Sequence, residues 1–207
     1  MAESYVLYGR QGGGSLAPQI LLEELGVPYK MVWVDKHAPA DEKAAYLKIC
    51  PTGKIPALVL PDGTSIFESA AICIHLTTVH NKAQLAPAPG TTAHAVFLQW
   101  MLFLATSVYG SVLRYYYADR YSSSDDAAGV RQAAQKEFEE HLALIESQLT
   151  DTQLGAAFSV ADLYLFMLAG WHPDEYEGIS AMFPKLGVLC DKVAARAAVA
   201  RVMEQNQ

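Results

Sequence analysis

Two short stretches of this chain put reactive residue types where a fold can use them. Gly12-Gly13-Gly14-Ser15 ends a glycine run with a hydroxyl at the start of an apolar helix pattern. Glu68-Ser69 closes a strand pattern and opens a helix, so free N–H groups and the positive end of a helix dipole converge there. A carboxylate suits such a place. Each serine also has a purely structural reading as an ordinary N-cap. Cys50, Cys73 and Cys190 are an odd, widely spaced set with no C-x-x-C pair, so no metal site is expected and a reducing compartment fits. At Ser159-Val-Ala-Asp162, Ser159 can accept from the amide of Asp162 while Asp162 reaches back, a capping box with Phe158 and Leu163 at staple positions. It reads as architecture.

The elements that carry these residues follow from the pattern. Tyr5 to Tyr8 is a strand, broken by four glycines between Gly9 and Gly14. Ser15 caps a helix whose apolar residues Ile20, Leu21, Leu22 and Leu25 run to Gly26. Val27 to Val34 is a second strand, and Asp35 to Lys48 is helical, with Tyr46, Leu47 and Ile49 as its buried side. Pro56 to Leu60 and Thr64 to Phe67 flank Pro61-Asp-Gly63 as an antiparallel hairpin, and Ser69 to Thr77 is a helix. The order βαβαββα needs a parallel pair beside an antiparallel pair, hence a mixed four-stranded sheet of thioredoxin-like type.

Asn81 to Thr92, with Pro87, Pro89 and Gly90, reads as a linker, which places an α/β domain at 1–80 and an all-α domain at 93–207. A long apolar helix runs from about Thr92 to Tyr121, then a polar break at Ser122 to Asp126. Phe138, Leu142, Ile145 and Leu149 form one buried stripe on the next helix. Ala93 to Leu113 lacks Asp, Glu, Lys and Arg, but His94, Gln99, Thr106, Ser107 and Ser111 and the absence of flanking basic clusters argue for a bundle core rather than a membrane span. With 15 basic against 22 acidic residues among 207, the net charge of −7 gives no footprint for nucleic acid. The start of the chain has no basic stretch leading an apolar one, so a cytoplasmic location is expected.

This layout, with Lys54-Ile55-Pro56-Ala57-Leu58, Phe67-Glu68-Ser69-Ala70-Ala71-Ile72 and the Ser159/Asp162 box, resembles the cytosolic glutathione transferases along the whole chain. Gly14-Ser15-Leu-Ala-Pro18 and Gln99-Trp100 to Ala105-Thr106 look most like the bacterial beta class. The resemblance implies a cis peptide at Pro56, with Lys54, Ile55 and Pro56 offering a strand edge whose main chain reads the cysteinyl part of glutathione. The bland alternative for Pro56 is the start of an edge strand. Glu68 and Ser69 would hold the γ-glutamyl end.

A free thiol of pKa ~8.5 is only ~3% ionised at pH 7, and lowering it by two units takes ~2.7 kcal/mol. By resemblance Ser15 is the first choice for the stabilising hydroxyl and Tyr8, at the end of the first strand, the reserve. The beta class usually carries cysteine at the position of Gly14, and Cys50 stands where the family commonly has asparagine. Tyr109, Leu113 and Tyr116 share one helix face and match the wall of the hydrophobic co-substrate pocket between the domains; as a stripe they read equally as core or subunit contact. Gly110, where the beta class tends to carry lysine, would open space or remove a positive charge there.

The expected protein is therefore a cytoplasmic, homodimeric, metal-free transferase that attacks a small hydrophobic electrophile with glutathione. The alternatives are a non-catalytic binder of the same fold, or a glutathione-dependent isomerase, lyase or dehalogenase of one pathway. A glutaredoxin-type oxidoreductase would need a cysteine where this chain has glycines and Ser15.

Overall fold

The computed structural model describes residues 4–80, 84–122, 126–150 and 153–206. The chain forms two compact units, Met1–Ala86 with Ala195–Gln207, and Pro87–Ala194. The boundary falls inside the expected linker, of which residues 81–83 lie outside the described part. The expected helical domain to residue 207 is corrected at its far end, because the last helix belongs to the first unit.

In the first unit β1 (Tyr5–Gly9) pairs parallel with β2 (Tyr29–Trp33) and antiparallel with β3 (Ala57–Val59), which pairs antiparallel with β4 (Ser65–Phe67). The sheet order is β2-β1-β3-β4. Between the strands run α1 (Leu16–Leu25) and α2 (Ala40–Leu47), and α3 (Ser69–Val79) follows β4. Leu7, Leu58, Ile20, Leu21, Leu22, Ile72 and Leu76 are fully buried, and their removal from water drives this half to fold. Tyr8 points to the other face, where Tyr46, Cys50 and Ala57 form a small core with Tyr8, Val34, Ile49 and Ile55 against it. Leu47, expected inside, is 47% exposed. Leu47 follows Tyr46 by about 100° around the helix and so turns away from the face that Tyr46 buries.

The last helix, α10 (Ala197–Gln205), packs on α1. Arg196 makes a bidentate pair with Glu24 at 2.6 and 2.7 Å, and Arg201 meets Glu23 at 3.0 Å.

The second unit is all helical: α4 (Thr92–Phe103), α5 (Tyr109–Tyr116), α6 (Ala127–Gln148), α7 (Val160–Ala169), α8 (Glu175–Met182) and α9 (Pro184–Ala194). The expected single helix to Tyr121 is interrupted by a π-helical turn at Leu104–Val108 and ends at Tyr116, followed by a 3-10 turn at Ala118–Arg120. Of the expected polar break, residues 123–125 lie outside the described part.

The stripe on α6 is as the spacing requires: Phe138, Leu142, Ile145 and Leu149 are all buried. Thr92–Tyr116 spans 25 residues at mean hydropathy 1.6, long and apolar enough to cross a membrane, yet it packs on α6 and α7 inside the bundle. The capping box forms as read: Asp162 accepts from the amides of Ser159 and Leu154, both at 2.7 Å, and Ser159 caps α7. Helix α7 is buried along its whole length, so its entry point is fixed by this pair.

Candidate functional site

One end of the sheet gathers the expected site residues of the first unit. The register pairs Tyr8 with Ala57 and Ala57 with Phe67, so Gly9, Pro56 and Glu68 continue side by side beyond the last paired residues. The loop from β1 to α1 crosses this end. A Cβ built on Gly13 would fall 2.9 Å from the end of the Ile55 side chain and 3.1 Å from the Arg10 carbonyl, so a side chain there would make both give way where the loop lies against the segment before Pro56.

Ser15 is fully buried, and its hydroxyl is spent on Arg10 rather than on its own helix. It accepts from the Arg10 N–H and donates to the Arg10 carbonyl, both at 3.1 Å. The expected N-cap is corrected accordingly: Ser15 has helical backbone angles and makes no capping bond. A Cβ on Gly9 would lie 2.3 Å from both Ser15 Cβ and Oγ, so the serine fills the space that Gly9 leaves. The first turn is closed by the main chain, with the Gly13 N–H on the Arg10 carbonyl and the Leu16 N–H on the Gly13 carbonyl, each at 3.0 Å.

Tyr8 is half-buried. Its ring meets that of Tyr46 at 5.7 Å, and its hydroxyl has no hydrogen-bond partner among the described residues. Tyr46 donates to the Lys54 carbonyl at 2.6 Å and thereby anchors the segment that leads into the site. Burial pushes the Tyr46 phenol above its ordinary range, so it stays a donor.

The Ile55–Pro56 peptide is cis, as the resemblance implied. Ile55 lies outside β3, and its N–H and C=O have no partner among the described residues, while the Lys54 side chain is exposed. Cys50 has a plain packing role: it is fully buried against this segment, with its Sγ 3.2 Å from Thr52 Oγ1. An asparagine there would put a polar amide into an apolar core.

Glu68 is exposed and holds φ 69° with ψ 110°, a conformation that costs a non-glycine residue about 1–3 kcal/mol. Such strain is kept where the chain must turn a group to a particular place. Ser69 follows as the first residue of α3, buried at 7% exposure. The start of that helix thus opens at the same sheet end as Ile55 and the glycine loop. Among the described residues no group of three or more His, Cys, Asp or Glu side chains is placed to hold a metal ion.

Residues 15–79 match the family model "Glutathione S-transferase, N-terminal domain". The chain is 28% identical to the glutathione S-transferase GstA of Escherichia coli O157:H7 over 169 residues, 80% of this chain and 81% of that protein. Among solved structures, a sphingomonad glutathione S-transferase complexed with glutathione superposes with a TM-score of 0.82 at 31% identity, covering 97% of this chain and 98% of the other. The chain belongs to the glutathione S-transferase family. A bacterial beta class glutathione S-transferase from Sphingomonas chungbukensis shares the fold at a TM-score of 0.81 and 29% identity, with 97% and 98% covered.

In this family member the remaining expected residues lie in the second unit. The Tyr109 ring meets Trp171 edge-on at 5.2 Å, and the Tyr116 hydroxyl donates to the Trp171 carbonyl at 2.9 Å, so both tyrosines converge on one tryptophan. Leu113 is half-buried on the same helix. A Cβ on Gly110 would come 3.4 Å from the Arg114 guanidinium, an ordinary contact, and Arg114 pairs with Glu137.

Sequence reasoning missed Gly9, Arg10, Trp171 and the bond from Tyr46 to Lys54. The adjacency of Gly9 to a strand end and Tyr46 to a buried helix side were the available signals. Nothing in the pattern pointed to Trp171.

Proposed function

We propose that the protein is a glutathione-dependent transferase whose first unit binds the tripeptide at the sheet end. The Ile55 main chain would pair with its cysteinyl residue, and Glu68 with Ser69 would take the γ-glutamyl group. The observation that carries this is the convergence of three features on one edge. They are the N–H and C=O of Ile55, unpaired among the described residues, the start of α3, and the glycine loop in contact with Ile55. An extended peptide added there gains main-chain bonds, and its carboxylate gains a helix N-terminus.

The chemistry is thiolate attack. The glutathione S–H loses its proton, the sulfur forms a C–S bond to an electrophilic carbon, and the leaving group departs with the bonding pair. The protein stabilises the thiolate rather than supplying a nucleophile. Of the two hydroxyls considered, Tyr8 takes the role of donor, because its O–H has no competing bond among the described residues, whereas that of Ser15 is enclosed and held by Arg10. Tyr109, Leu113 and Tyr116, joined by Trp171, are proposed as the wall for a small hydrophobic electrophile.

We place the protein in the cytoplasm on its three buried free cysteines, and assign it a homodimer on the exposed apolar side chains Val96 and Leu102 of α4.

Ultraviolet titration of thiolate in the glutathione complex tests the assignment. A hydrogen bond to a charged group contributes ~1.5–3 kcal/mol, so Tyr8→Phe should raise the bound thiol pKa by about 1–2 units. An unchanged titration in that variant would remove Tyr8 from the site.

A further inference from the structure

The bonds to Arg10 close the turn of the glycine loop without fixing every residue in it. Gly12, Gly13 and Gly14 carry no side chains, Gly12 sits at φ 61°, and runs of glycine have the widest choice of backbone states. Contacts from outside the loop narrow that choice further, and one set comes from the residues that close α10.

Asn206 Oδ1 accepts from the Gly12 N–H at 3.3 Å, and the Gln205 carbonyl accepts from the Gln11 side chain at 3.4 Å. The Asn206 carboxamide is itself fixed, since its Nδ2 donates to the Val202 carbonyl and to Gln19 Oε1, each at 2.9 Å. Gln19 is fully buried on α1, and its Nε2 donates to Gln205 Oε1 at 2.8 Å. Both polar atoms of that buried amide are therefore satisfied by the last turn of α10, and the Gln19 N–H closes on the Ser15 carbonyl at 2.9 Å. A buried amide keeps such an arrangement because losing its partners is costly. The result is a continuous chain of carboxamides from the core of α1 to the tip of the loop.

We infer that Asn206, oriented by buried Gln19 and Gln205, is a positioning residue that fixes the glycine loop beside Ile55 and so sets the place of the N-terminus of α1. In its catalytic consequence this rests on the glutathione reading above, because β1, which carries the proposed thiol donor Tyr8, leads directly into that loop. It does not touch the reacting atoms; it acts through the Gly12 amide.

The test has two arms. In the ligand-free, full-length protein, amide hydrogen exchange compares wild type with Asn206→Ala and with Arg201→Ala, which loosens the same helix pair without touching the loop. Asn206→Ala should speed exchange at Gly12 to Gly14 about tenfold while Leu21 and Leu22 keep their protection; Arg201→Ala should leave the loop unchanged.

The second arm titrates the thiol of bound glutathione. Asn206→Ala should move its pKa upward and lower kcat at neutral pH several-fold, with KM for glutathione little changed, and Arg201→Ala should keep the wild-type profile. Wild-type exchange at the loop in Asn206→Ala, or equal effects of the two variants, would overturn the inference. Absence of glutathione binding in the wild type would overturn the functional reading instead and leave the exchange arm to decide the role of Asn206.

Discussion

Replacing Ser15 by alanine separates two roles that a hydroxyl at this position can play. The side chain is fully buried and makes two bonds to one residue, accepting from the Arg10 N–H and donating to its carbonyl. In Ser15→Ala the carbonyl keeps the Gly13 N–H as a partner, but the amide of Arg10 loses the bond that held it. An unsatisfied amide costs about 1–3 kcal/mol and the other lost bond about 1 kcal/mol. The better helix propensity of alanine returns ~0.5 kcal/mol, so the net loss is about 2 kcal/mol.

For a chain of this size that is a fall of roughly 4–8 °C in melting temperature. Thermal unfolding by circular dichroism measures it, and titration of bound glutathione on the same sample measures the thiol. The geometry requires a less stable protein whose thiol pKa moves by less than about half a unit. A variant of wild-type stability whose thiol pKa rises by more than ~1 unit would show that Ser15 donates to sulfur and that the Arg10 bonds are incidental.

Two further outcomes concern the helical unit. Asp162→Ala removes the acceptor for two amides, Leu154 and Ser159, each at 2.7 Å in the interior, and should destabilise this unit by about 2–5 kcal/mol in denaturant unfolding; Asp162→Asn, which keeps one acceptor oxygen, should lose less.

The pH dependence of stability carries the second. Burial holds His172 and His141 below their ordinary value of 6.5, so the folded state binds fewer protons than the unfolded one, and stability falls as pH drops below about 6.5. His172 Nδ1 also accepts from the Asp174 N–H at 3.2 Å, a bond that protonation removes. Asp162, pushed up to about 6 by burial, acts in the opposite sense between ~4 and 6. The informative measurement is therefore the difference between wild type and His172→Asn: melting temperatures from pH 7.5 to 5 should fall less steeply in the variant, and parallel curves would contradict the assignment.

What could be read from the sequence were the features that close over a few residues. The capping box at Ser159 and Asp162, the stripe on α6 and the hairpin about Pro61-Asp-Gly63 each depend on neighbours within one or two turns, and all form as the spacing requires. Pro56 and Glu68-Ser69 lie at strand ends as the strand and helix pattern requires, while the roles proposed for them come from the resemblance.

The departures are tertiary. Ser15 fits every local rule for a cap, but the missing side chain at Gly9 opens a space that draws its hydroxyl backward to Arg10. Asn206 meets Gly12 across 194 positions of sequence, a pairing no periodicity can announce. Trp171 gathers Tyr109 and Tyr116 from a helix 55 residues away from its own carbonyl contact. The π-helical turn at Leu104–Val108 carries neither glycine nor proline to mark it in the sequence.

The most direct test of the account is amide chemical-shift mapping of the isotope-labelled protein with glutathione. Saturable shifts should concentrate at Ile55, at Ser69 and Ala70, and in the loop from Gln11 to Ser15, with α7 unmoved. Saturable binding that leaves Ile55 and the start of α3 undisturbed, or no binding at millimolar glutathione, would contradict it.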